Sequence, residues 1–467
     1  MNWKSFKVIL IIISFLSSVF VLSHQVDMLI GYDMLVLLPV VYAISIVLAK
    51  NFVTQFGDSI VYTIGVAGGF MRMSILPIVI TLAHGDIFFG FYETTLSVSR
   101  CLEYMPYALL LMCFEQCILM YALEKYADNN SINRVIASNY TKKNSIGTFV
   151  FWMLLAVMLG YVIFMGNRYP TLFNYLNLAW SFNDLIGDNI VQGNAPSSYY
   201  RLFLWFVDML QLLIPVLLVT SIKQKTISDN TKKVLYTLVA LCSLCVMTDD
   251  KVLSILYAVL IILWVKHEFT SLPRSLYMLL AFVLSFGLLA LAIKSMAILS
   301  SSDADWYLFS GTLNAYFNGP SNIAAGLVMN NQFEGSVLRV AMNDLFNSIP
   351  FMPVLYKDHY TIAVVFNDCV KGQGAIVTKV IPMISQGAFY LTPFLAPLLD
   401  IIMIKIAYRI ERKYQMARDT AAQLVLMFMT IFISFTPIMY NANIMMKNTY
   451  NMFFVLWLIN LRNKRYV

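Results

Sequence analysis

Charge is the scarcest property of this chain: Asp, Glu, Lys and Arg make up 12% of 467 residues, against about 25% in a soluble domain. Four histidines and six cysteines are spread without zinc or disulfide spacing. Cys113, Cys117, Cys242 and Cys245 sit inside apolar runs, where a cysteine serves as a small hydrophobe. There is no Walker loop, no GxGxxG, no nucleophile elbow, and only an isolated Asp303-Ala304-Asp305 as a sugar-nucleotide signature. These absences exclude a soluble enzyme, a secreted disulfide scaffold, a disordered protein and a nucleic-acid binder. The net charge of +7 does not restore the last, because the cations are gathered in short loops.

What the chain has instead is 60% apolar residues along its whole length. A helix needs about 20 apolar residues to cross the hydrocarbon. On that criterion the sequence predicts an all-α, polytopic membrane protein with about twelve spans, at 6–23, 33–49, 59–82, 104–123, 147–165, 202–222, 234–248, 252–265, 275–298, 384–404, 421–437 and 450–461. The first resembles a signal peptide but has no clear cleavage site, so it reads as an uncleaved span. The pair 234–248 and 252–265 is short, and a re-entrant hairpin around Thr248-Asp249-Asp250-Lys251 is the alternative. The cation clusters 223–233 and 405–418 fall on one side of this layout, which places both termini in the cytoplasm by the positive-inside rule.

The layout divides the chain into a bundle (1–298), a large outer loop (299–383) and a second bundle (384–467). A loop of that length carries structure and function of its own. Ser321 is placed to cap a helix running through Met329, and Glu334–Asn347 reads as an amphipathic helix with Arg339, Asn343 and Asn347 as its polar stripe. The chain then turns at Ile349-Pro350 and Met352-Pro353. No internal repeat is visible, which argues against a transporter built from repeated halves.

Ionisable groups inside spans mark function by default. Arg72 follows Gly68 and Gly69 with no acidic residue within a helical turn. It reads either as an interior anion contact or as the partner of a distant carboxylate such as Glu115 or Asp208. Glu115, Asp208 and Gln211 read as cement between helices, and Lys294 as a cation snorkelling toward an anionic headgroup or simply toward water. In the outer loop, Arg339, Lys371 and Lys379 are candidate anion contacts, since a guanidinium grips phosphate with two parallel bonds. His359, Asp249 and Asp250 are candidate bases. Trp306, Tyr316 and Asn318 are candidate sugar contacts.

Several patches carry a family likeness: Tyr316-Phe317-Asn318-Gly319-Pro320-Ser321-Asn322, Ser348-Ile349-Pro350, Phe366-Asn367-Asp368, Gly372-Gln373-Gly374-Ala375-Ile376, and the run from Ile381-Pro382 through Gly387-Ala388-Phe389 to Leu395-Ala396-Pro397-Leu398. With the single large loop before the last three spans, the chain resembles a bacterial O-antigen or capsule repeat-unit polymerase of the Wzy type, closely over 300–400 and elsewhere by topology. The resemblance implies a glycosyltransferase of the bacterial inner membrane that joins undecaprenyl-diphosphate-linked oligosaccharides on its outer face. It implies no metal or other cofactor. Its partners would be lipid-linked oligosaccharides, membrane lipid and a chain-length regulator, and not nucleic acid. A flippase of the same lipid-linked unit, or an O-antigen ligase, is the alternative.

Overall fold

The structure, a computed structural model, describes residues 3–85, 96, 98–127, 145–168, 177–178, 198–243, 245–246, 251–269, 304–349, 352, 356, 358, 360–371 and 380–462. These residues are overwhelmingly helical; a two-residue antiparallel pairing of Asn177-Leu178 with Cys245-Val246 is the sole sheet among them. In chain order the helices are α1 (Trp3–Ser23), α2 (Leu37–Leu48), α3 (Ile60–Leu82), α4 (Val98–Ala127), α5 (Ser145–Arg168), α6 (Ser198–Gln224), α7 (Asp229–Ser243) and α8 (Lys251–Phe269). They continue with α9 (Ala304–Tyr316), α10 (Pro320–Gln332), α11 (Val337–Ser348), α12 (Ile362–Lys371), α13 (Met383–Tyr390), α14 (Leu398–Met416), α15 (Thr420–Met439) and α16 (Ala442–Arg462).

Among the described residues, six helices are long and apolar enough to cross a membrane: α1, α3, α4, the 146–165 stretch of α5, the 205–224 stretch of α6, and α15. The predicted spans 33–49 and 234–248 correspond to helices of only 12 and 15 residues, α2 and α7. The spans 252–265 and 450–461 lie within α8 and α16, and 275–298 falls outside the described residues. The reading of 384–404 as one continuous span is corrected. The chain there forms two helices, α13 and α14, separated by a turn through Leu391–Pro397. Pro393 and Pro397 bias the residues before them away from helical backbone, so an apolar run of sufficient length is nevertheless broken.

The chain divides into two compact units. One comprises 132–290, 412–429 and 447–467. Its interior is aromatic: Tyr257 stacks on Phe428, with centroids 4.7 Å apart, and Trp205 donates to Asn451 Oδ1 at 2.6 Å. Asp208 of this unit lies 4.0 Å from Lys447, so its charge is met across helices.

The other unit comprises 1–131, 291–411 and 430–446 and holds most of the candidate residues that the structure describes. Here α3 is pinned at its start by Ser59, which accepts from Tyr62 N–H, and by the buried Glu411 carboxylate, which accepts from Ile60 N–H and Ser59 Oγ. A carboxylate at this end meets both the free N–H groups and the positive pole of the helix. Further along, Pro77 removes a backbone donor, and the preceding turn, Met71–Ile75, widens into a π turn. Serines of α1 meet this turn: Ser17 Oγ donates to Ser74 O at 2.7 Å, and Ser14 Oγ lies 2.8 Å from Ser74 Oγ.

The outer loop of the sequence reading does not stand apart from the helices. Residues Pro320–Met329 of α10 are all buried, packed against α4 and α13, and Met383–Phe389 of α13 are buried as well. α10 begins with Pro320 at its first position and Gly319 as its cap, not with the predicted Ser321 cap. The second predicted helix starts three residues later than Glu334, where Ser336 accepts from Arg339 N–H, and ends at Ser348 ahead of Ile349-Pro350.

Candidate functional site

The π turn of α3 places Arg72 in the interior of its unit, with 4% of its surface exposed. Arg72 Nη1 lies 2.7 Å from Glu115 Oε2 on α4, and Nε donates to the backbone carbonyl of Asn318 at 3.2 Å. Of the two sequence readings of Arg72, the structure bears out pairing with Glu115. Asn318 sits at φ +48°, a left-handed conformation that asparagine tolerates, and its Nδ2 donates to Tyr440 O at 3.2 Å. The neighbouring Gly319 is required by space: an added Cβ would lie 2.2 Å from Asn314 Oδ1. Asn318, read from sequence as a sugar contact, is therefore buried and ties α3 to the turn between α9 and α10.

Asp400, in the first turn of α14, is fully buried and close enough to Glu115 and Arg72 for both to act on it electrostatically. Among the described residues neither of its carboxylate oxygens has a hydrogen-bond partner, and the same holds for Arg72 Nη2 and Asn318 Oδ1. Sequence reasoning missed Asp400, although an ionisable group within a predicted span is the signal it used for Arg72.

A second polar cluster joins α11 and α13 to the break between α15 and α16. Asp344 on α11 accepts from Tyr390 OH and, at 3.0 Å, from Ile362 N–H. Gln386 accepts from Ala442 N–H at 2.8 Å and donates to Asn443 Oδ1 at 2.8 Å, and both amides also reach Asp344. Burial pushes the Asp344 carboxyl above its ordinary value, while these donors favour its charged form.

The third feature is the surface of α11. Its polar stripe is turned inward: Asn343 accepts from Tyr356 OH and donates to Tyr360 O, and Asn347 donates to Asp358 O. Arg339 alone of that stripe is open, with 64% of its side chain exposed, and its Nε is 2.8 Å from Asp358 Oδ2. This pairing holds the Asp358 carboxyl below its ordinary value. Beside Arg339, Leu338, Met342 and Leu345 form an exposed aliphatic ridge.

Of the remaining candidates, Trp306 is exposed on α9, its ring edge-on to Phe309, and Tyr316 is half-buried at the end of α9. Lys371 ends α12, and nothing of its side chain is described. His359, Asp249, Asp250, Lys294 and Lys379 lie outside the described residues. The structure thus brings together Arg72 and Asn318, and sets Arg339 apart on a surface helix with Asp358. Among the described residues no group of three or more His, Cys, Asp or Glu side chains is arranged to hold a metal ion. No protein-family model, no curated protein and no solved structure matches this chain.

Proposed function

We propose that the chain is a polyprenyl-diphosphate-dependent glycosyltransferase of the bacterial inner membrane, polymerising lipid-linked oligosaccharide repeat units on the outer face. The observation that carries the reading is the surface of α11, where an exposed guanidinium adjoins an exposed aliphatic ridge. A lipid diphosphate has the matching chemistry, two phosphates followed by a hydrocarbon chain. Asp358 holds Arg339 in place by a solvent-exposed pair, which exchanges readily for a doubly charged ligand.

In the reaction, the hydroxyl oxygen of one lipid-linked unit attacks the anomeric carbon of the growing glycan. The bond from that carbon to the diphosphate oxygen breaks, and the electron pair departs with the lipid diphosphate. The hydroxyl proton passes to a base, for which His359 and the outer aspartates are the candidates. Fixed cations stabilise the charge gathering on the leaving group. Arg339 takes that role here, together with Lys371 and Lys379. Arg72 was read as sharing it, but its charge is matched by Glu115, so it serves instead to hold the turn at Asn318.

Deleting the gene and profiling glycan length tests this reading. Loss of a polymerase leaves a single repeat unit on the acceptor lipid, whereas loss of a flippase or ligase leaves none at the cell surface. Arg339→Ala is expected to shorten chains at normal expression, with Arg339→Lys partly restoring them. Long chains in a well-expressed Arg339→Ala strain would overturn the assignment.

A further inference from the structure

The charges around Arg72 do not balance. One guanidinium faces two carboxylates, Glu115 and Asp400, all three at most 4% exposed. The Arg72–Glu115 pair at 2.7 Å accounts for one of each sign and leaves Asp400 over. Among the described residues, Glu115 and Arg72 are the charges named as acting on Asp400. An ionised carboxylate without a partner in a low-dielectric interior is very costly. Hydrogen-bond partners are also short within this group: among the described residues both Asp400 oxygens, Arg72 Nη2 on the paired guanidinium itself, and the side-chain oxygen of Asn318, whose carbonyl Arg72 holds, have none. The cluster also sits at a π turn, a distortion frequent at functional sites.

We propose that Arg72, Glu115, Asp400 and Asn318 form a buried site for one monovalent cation, a proton or a sodium ion, bound at the Asp400 carboxylate. A proton would complete Asp400 as a neutral acid. A sodium ion would use the same carboxylate with amide and carboxylate oxygens as further hard donors. Binding forms and breaks no covalent bond other than O–H, and it does not depend on the transferase reading.

The test uses the full-length protein in detergent. Infrared difference spectra recorded in H2O and D2O read the C=O stretch of a protonated carboxyl, with Asp344→Asn removing any contribution from the outer segment. Melting temperature is measured in sodium, potassium and choline salts at equal ionic strength. A carboxyl band lost in Asp400→Asn identifies the proton. A melting temperature raised by sodium alone, with that response lost in Asp400→Asn, identifies the metal ion. If Asp400→Asn does not fold, Glu115→Gln serves, since it too leaves one cation facing one carboxylate. A wild-type protein with neither a carboxyl band beyond that of Asp344 nor a sodium response overturns the proposal.

Discussion

Single residues decide how closely the backbones meet. Gly387 has Ala396 O only 2.4 Å from where a Cβ would stand, and backbone cannot swing aside as a side chain can. Gly387→Ala is therefore expected to cost about 1–3 kcal/mol, seen as a lower melting temperature in detergent. Gly160 of α5 has nothing within 4 Å of the same position. Gly160→Ala should instead be neutral or stabilise by roughly 0.5–1 kcal/mol, from reduced backbone entropy. Asp344 sets a pH dependence whose sign follows from burial. Its folded-state carboxyl titrates above the ordinary 3.8, so the stability contributed by the neutral acid is fully present below that value and is lost as pH rises through the folded one. Asp344→Asn should flatten the melting temperature against pH on the acid side of neutrality; an unchanged slope would refute the assignment. The Arg339–Asp358 pair has the opposite sign. Its contribution is present above 3.8 and is lost as pH falls through the depressed Asp358 value.

At the scale of elements, the π turn of α3 is where regular helix geometry gives way. Ser17→Ala removes the hydroxyl that donates to Ser74 O and leaves a buried carbonyl short of a partner. The expected loss is about 1–3 kcal/mol, read by thermal unfolding, and Ser17→Thr should recover part of it. The existence and extent of α3 were legible from its apolar run, since 59–82 matches Ile60–Leu82 almost residue for residue. The start of α11 was legible less well: the apolar pattern placed it at Glu334, whereas the helix begins at Val337 with Ser336 as its cap. The facing of α11 was not legible at all. The sequence marked Arg339, Asn343 and Asn347 as its polar stripe, but not that Tyr356 and Tyr360 close over Asn343 and leave the aliphatic side bare. An amphipathic pattern states that a helix has two faces and cannot say which one the rest of the chain covers.

For the whole molecule, α10 is an integral layer of its unit and not part of a detachable cap, because it is buried along most of its length. Leu338→Cys, on the exposed ridge of α11, is expected to react in intact cells with a thiol reagent that cannot cross the inner membrane. Labelling seen only after the membrane is opened would put this helix on the other side and overturn the proposed outer-face reaction. Composition alone determined that the chain is a helical membrane protein, since 60% apolar residues cannot be hidden in a water-soluble core and each span must satisfy its own backbone. Tertiary structure alone decided that Arg72 meets Glu115, 43 positions away, that Asp400 joins them, and that 384–404 is two helices. Hydropathy sums side chains along the chain, whereas ion pairs and breaks depend on which distant groups the packing brings within a few ångströms.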